Sequence, residues 1–178
     1  MKLKASALFT ILSILACKDD DGGGGNVPCN CSDASTTTTF TVGTGKVFLP
    51  NVLTPNGDGF NDSFFPLATD GIDRVSIKIT DNNGAVMVEY NSIQPNDPTL
   101  GWPQGASSTY DGIIKYTITA QSTDGTSVII KGTACSKPYN LNALPTDWEG
   151  CDNCRFSTQH DGMGGFCETC PPLENICQ

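Results

Sequence analysis

The sequence predicts an all-β protein, an immunoglobulin-like β-sandwich of about seven strands with a small disulfide-rich C-terminal extension. Three observations carry that expectation. Apolar and polar residues alternate with period two in several runs between residues 36 and 135. Turn-forming dipeptides separate those runs. Nineteen Gly and eleven Pro among 178 residues punctuate the chain too often for the long helices that would cover a parallel sheet.

The strands follow in order. Thr39–Val42, residues 46–53 and a short piece near Phe64 supply the first three. Val75, Ile77 and Ile79 then alternate with Ser76, Lys78 and Thr80, and Val86, Val88 and Tyr90 alternate with Met87 and Glu89. Ile114, Tyr116, Ile118 and Ala120 alternate with Lys115, Thr117, Thr119 and Gln121, and residues 127–133 close the series. Asn83-Gly84 and Asp124-Gly125 lie between paired runs, and both dipeptides favour the positive φ angles of tight hairpin turns. Seven short strands in about 100 residues fit two packed sheets.

The ends of the chain differ from this centre. Residues 1–16 have the form of a secretory signal: Lys2 and Lys4 precede an apolar stretch too short to span a bilayer. Ile14-Leu15-Ala16-Cys17 resembles a bacterial lipobox, which implies lipidation of Cys17 at sulfur and its exposure as the mature N-terminus. Removal of Lys2 and Lys4, with no acid, takes the formal charge from −9 to −11. Lys18, Asp19 and Asp20 after that cysteine resemble the signal that sends Bacteroidota lipoproteins to the outer face of the outer membrane. With Asp21 and the four glycines that follow they also read as an acidic tether. About ten flexible residues of this kind have a root-mean-square reach of roughly 17–19 Å. The domain plan is therefore a signal over 1–16, a lipidated tether over 17–35, a sandwich over 36–135 and a Cys-rich tail over 136–178.

The segment from Leu49 to Phe64 contains the run Thr54-Pro55-Asn56-Gly57-Asp58-Gly59, followed after Phe60 by Asn61-Asp62. This run, with the strand and hairpin after it and Gly101-Trp102 further on, resembles the gliding-motility-associated C-terminal domain, the type B sorting domain of the Bacteroidota type IX secretion system. The resemblance covers roughly residues 46–135 and implies an immunoglobulin-like sandwich that associates with outer-membrane transport machinery. Domains of that family usually end their proteins, whereas 43 residues follow Cys135 here. A fixed binding module fits that departure better than secreted cargo does.

Asn56, Asp58, Asn61 and Asp62 place four oxygen-bearing side chains in one glycine-rich loop, the composition a hard cation such as calcium prefers. The spacing is not that of an EF-hand loop. The same residues suit an Asx-turn network, in which the side chains accept from nearby backbone amides. Both readings stand at this stage.

Cys29, Cys31, Cys135, Cys151, Cys154, Cys167, Cys170 and Cys177 form an even set once Cys17 is assigned to lipid. In an exported chain such a set implies disulfides. The pairs Cys151/Cys154 and Cys167/Cys170 have zinc-ligand spacing, so a four-thiolate zinc site is the alternative. A tail of this size needs cross-links or a metal, because its core is too small to hold it.

Catalysis has little to stand on. His160 is the sole histidine, and no nucleophilic serine motif or metal-binding helix motif accompanies it. A sequence pI near 4.3 argues against nucleic acid, since no basic run is present to meet phosphates. The expected function is that of a non-enzymatic lipoprotein on the cell surface, anchored in the outer membrane. It would dock on a β-barrel protein or its accessory lipoproteins in secretion, barrel assembly or nutrient uptake, with no cofactor required beyond the covalent lipid. The alternatives are a surface adhesin binding glycans or matrix, and a secretion-related cargo. A sugar platform needs coplanar exposed rings, and Trp102 and Trp148 are far apart in sequence. Trp102 is expected as a buried lid on the sandwich.

Overall fold

The computed structural model describes residues 33–105 and 107–138. The signal, the tether and the Cys-rich tail from residue 139 onward lie outside the described residues, and with them fall Cys17, Lys18, Asp19, Asp20, Cys29, Cys31, Cys151, Cys154, Cys167, Cys170, Cys177, Trp148 and His160.

Among the described residues the protein is all-β, with eight strands in two sheets. These are β1 (Thr39–Val42), β2 (Gly45–Phe48), β3 (Val52–Leu53), β4 (Leu67–Ala68), β5 (Ile72–Thr80), β6 (Val86–Ile93), β7 (Gly112–Ser122) and β8 (Ser127–Ser136). One sheet has the order β1-β2-β4 and the other β3-β8-β7-β5-β6. Neighbours pair antiparallel except β3, which runs parallel to β8.

The period-two runs become β5, β6, β7 and β8. Val75, Ile77, Ile79, Ile114, Tyr116, Ile118 and Ala120 all point to one face and are buried, as the alternation requires. Phe64 packs its ring on Tyr116 with centroids 4.9 Å apart. Trp102 is buried and meets Tyr110 edge-on at 5.7 Å. Burial of these rings removes the largest apolar surfaces from water, which is the main force closing such a fold.

Three local expectations are revised. The expected strand over 46–53 is two strands, because the chain leaves the first sheet after Phe48 and joins the second at Val52. Pro50 lies in the crossing and has no N–H to continue a ladder. The piece near Phe64 is a single bridge to Trp102, and a separate short strand, β4, follows it. In the two hairpins only the glycine adopts positive φ, +89° at Gly84 and +88° at Gly125, while Asn83 and Asp124 do not. Gly84 N donates to Asp81 O and Asp81 N to Ala85 O, and Gly125 N to Ser122 O and Ser122 N to Thr126 O. Each turn is thus a four-residue turn with a left-handed glycine at its end, a geometry that demands glycine at one position only.

Candidate functional site

The loop of residues 54–62 leaves β3 directly and folds on Asp62. The Asp62 carboxylate accepts from three backbone amides: Oδ1 from Asn56 N at 3.0 Å and Gly57 N at 2.7 Å, and Oδ2 from Gly59 N at 2.7 Å. Its residue is only 6% exposed. Charge-assisted bonds of this kind are the strong ones, and three on one carboxylate fix the loop path. Asp58 continues the pattern, its Oδ1 accepting from Phe60 N at 2.8 Å and its Oδ2 from Asn56 Nδ2 at 3.1 Å. The Asn56 side-chain oxygen accepts from Asp58 N at 3.0 Å.

Backbone conformation explains the glycines. Gly57 and Gly59 have φ of +83° and +93°, and Asn61 has +50°; glycine reaches that region without a Cβ penalty and asparagine more readily than most residues. Thr54 N donates to Asn61 O at 2.9 Å, closing the loop at its base. The structure therefore brings Asn56, Asp58 and Asp62 into one Asx-turn network whose carboxylate oxygens accept from N–H donors, and Asn61 closes the loop through its backbone carbonyl. No group of three or more His, Cys, Asp or Glu side chains placed to hold a metal ion occurs among the described residues.

A second segment braces this loop. Asn56 bridges to Ser107 and Phe64 to Trp102. Ser108 N donates to Pro55 O at 3.1 Å, and Ser63 Oγ donates to Pro103 O at 3.1 Å. The peptide bond between Trp102 and Pro103 is cis. Held from below, the loop projects Phe60, whose side chain is 42% exposed. The sequence does not single out this residue, because a lone phenylalanine in a loop belongs to no periodic run that would show which way it faces.

Cys135 is fully buried near the end of β8 and is disulfide-bonded. Its partner lies outside the described residues, in which it is the one cysteine. Close by, the Lys137 ammonium lies 3.2 Å from Asp111 Oδ1, with the lysine side chain 7% and the aspartate side chain 41% exposed. That oxygen accepts no directed hydrogen bond, so the contact is one of charge. The half-open aspartate keeps the buried ammonium compensated, which a lysine in this position requires.

Two phenols are perturbed. Burial pushes the Tyr116 hydroxyl above the usual tyrosine range, with the Ser35 side-chain hydrogen bond opposing it. Burial also raises Tyr110, with the Asn82 backbone hydrogen bond opposing and the Asp81 charge adding to the rise. Asp124, in the β7–β8 turn, is held below the usual carboxylate range mainly by hydrogen bonding from Thr126.

No protein-family model matches the chain. No curated protein matches it. Among solved structures it is similar to the crystal structure of CopC from Methylosinus trichosporium OB3b, at 20% sequence identity over 52% of this chain and 87% of that chain, with a TM-score of 0.36. At that score the likeness carries no conclusion about what this chain binds or does.

Proposed function

We propose that this chain is a non-enzymatic, surface-exposed outer-membrane lipoprotein, built as an immunoglobulin-like sandwich, that serves as a docking subunit of an outer-membrane complex. One observation carries the docking role: a network of charge-assisted bonds immobilises a loop whose tip presents Phe60 to solvent. Aromatic anchors presented on rigid loops give contact area at low entropic cost, and they dominate the energetics of protein interfaces. Loops held on a stable scaffold are where binding residues concentrate.

The lipobox-like Ala16-Cys17 junction and the acidic run after it support the compartment, and the resemblance of residues 54–62 to a type IX sorting-domain run supports a partner in outer-membrane transport. The glycan-binding alternative is weaker, since Trp102 belongs to the core. Extraction in mild detergent through a tag on the full lipidated chain tests the proposal. A β-barrel protein should copurify with the natural chain, and Phe60→Ala should reduce its recovery about tenfold or more while leaving the melting temperature unchanged. Recovery of the natural chain as a lone monomer, or an equal yield of partner with Phe60→Ala, would overturn it.

A further inference from the structure

The outward face of the five-stranded sheet is unlike the rest of this acidic chain. Register places Glu89, Lys78, Thr117 and Lys131 in one line across β6, β5, β7 and β8. Thr80, Lys115 and Thr133 form the next line, and Ser76, Thr119 and Ile129 the line on the other side, with Arg74, Gln121 and Ser127 beyond it. Of the described cations, Arg74, Lys78, Lys115 and Lys131 share this face, and Lys46 and Lys137 do not. Glu89 pairs with Lys78 at 3.1 Å and Asp73 with Arg74 at 2.7 Å. Lys115 donates to the Asn82 carbonyl at 2.8 Å and forms no ion pair among the described residues. Lys131 is exposed, and Ile129 beside it is 65% exposed.

We infer that this face rests on an anionic lipid surface. Lys78 and Lys131 stand two strands apart, about 10 Å, so the cations are spread over a plane and do not converge on one small anion. Lysine is depleted from protein–protein interfaces, and this face carries no aromatic anchor, which argues against a protein as its occupant. Flexible ammonium groups around a protruding isoleucine suit a headgroup layer, where charge meets phosphate and the apolar tip enters the boundary.

The chain's path adds an independent reason. The described chain begins beside this face: Asp33 O accepts from Thr133 Oγ1 at 2.9 Å, Ser35 N donates to Thr133 O at 3.0 Å, and Thr133 N donates to Ser35 Oγ at 2.8 Å. From Cys17 to Asp33 the chain spans at most about 55 Å fully extended. A lipid at Cys17 would therefore keep the domain within reach of the bilayer, with the chain entering at the β8 margin of this face. At physiological salt the Debye length is about 8 Å, so acids on the opposite sheet oppose the contact little, while Asp81, next to the Asn82 carbonyl that Lys115 meets, offsets part of the charge at that edge.

The inference concerns a different surface from the Phe60 loop, and its test uses no lipid anchor, so the two can fail separately. The full mature chain with Cys17→Ser is mixed with phosphatidylcholine vesicles, with or without phosphatidylglycerol, at low and high salt. It should cosediment with the anionic vesicles alone and be released by salt. Each lysine near the surface is worth about a fivefold change in partition, so Lys115→Gln with Lys131→Gln should weaken binding about 25-fold. Glu89→Gln should strengthen it about fivefold, a gain that misfolding does not mimic. Lys46→Gln, on the other sheet, should leave it unchanged. No cosedimentation at low salt, equal binding to neutral vesicles, or no response to the Lys115, Lys131 and Glu89 changes would overturn the inference, as would capture of an acidic protein through this face in the absence of any vesicle binding.

Discussion

Replacing Asp62 by Asn keeps the shape of the side chain and removes what organises the loop. The amide oxygen fits the place of Oδ1, where the Asn56 and Gly57 amides arrive at 3.0 and 2.7 Å. Its NH2 then confronts the Gly59 N–H, which donated at 2.7 Å to the lost oxygen. Converting two charge-assisted bonds into neutral ones costs about 1 kcal/mol each, and the donor–donor contact adds to this. Water reaches the exposed Gly59 and recovers part of the loss. The expected destabilisation is about 2–3 kcal/mol, or roughly 10 °C in melting temperature for a domain of this size. Urea unfolding followed by circular dichroism measures it, with the exposed Asp70→Asn as a control near zero. A loss below about 0.5 kcal/mol would show that the loop is held by something other than its central carboxylate. The same assay addresses calcium. Because the carboxylate oxygens already have donors, the natural chain should melt at the same temperature in millimolar calcium and in chelator, and a calcium-dependent rise abolished by Asp62→Asn would refute the network reading.

Two further changes test the core. A methyl group at Gly132 would fall inside contact distance of the Tyr116 hydroxyl and Ser35 Oγ, so Gly132→Ala should cost about 1–3 kcal/mol in urea unfolding. Stability should also fall at alkaline pH. The folded Tyr116 phenol titrates above its unfolded value near 10, so the folded state binds more protons there. Its contribution is complete below about pH 10 and is lost as pH rises toward the folded pKa. Tyr116→Phe should flatten that alkaline slope, and an unaltered slope would assign it to other groups.

Alternation made the long strands legible because β5 and β7 each bury one face and leave the other wet. It failed over residues 46–53 for the same physical reason. From Val47 to Pro55 every residue is buried, so the change of sheet leaves no period to read. In the 56–62 loop, composition identified the residues but not their use, since a cation and a set of backbone amides attract the same oxygens. The direction of the amides is what the sequence did not carry, because direction belongs to the backbone path. The cationic face was hidden more completely. Lys78, Lys115 and Lys131 stand singly in the sequence, and only the pairing of β5, β7 and β8 makes them neighbours.

The seam between β3 and β8 ties these features together. Cys135 N donates to Asn51 O at 2.8 Å and Lys137 N to Leu53 O at 2.9 Å. Asn51 Nδ2 donates to Ser35 O at 2.9 Å, so the incoming N-terminal segment is fastened to the same crossing. One residue beyond β3 the Asp62 loop begins. A partner held at Phe60 and a lipid at Cys17 would therefore pull on opposite sides of a few residues, and the load would pass through Ser35, Asn51 and the short strand β3 to the start of the loop. Cys135, disulfide-bonded and paired in register with Val52, stands beside that path. Its disulfide partner lies outside the described residues, so within them the seam rests on these backbone bonds, and the two-residue strand β3, with few ladder bonds of its own, would yield first.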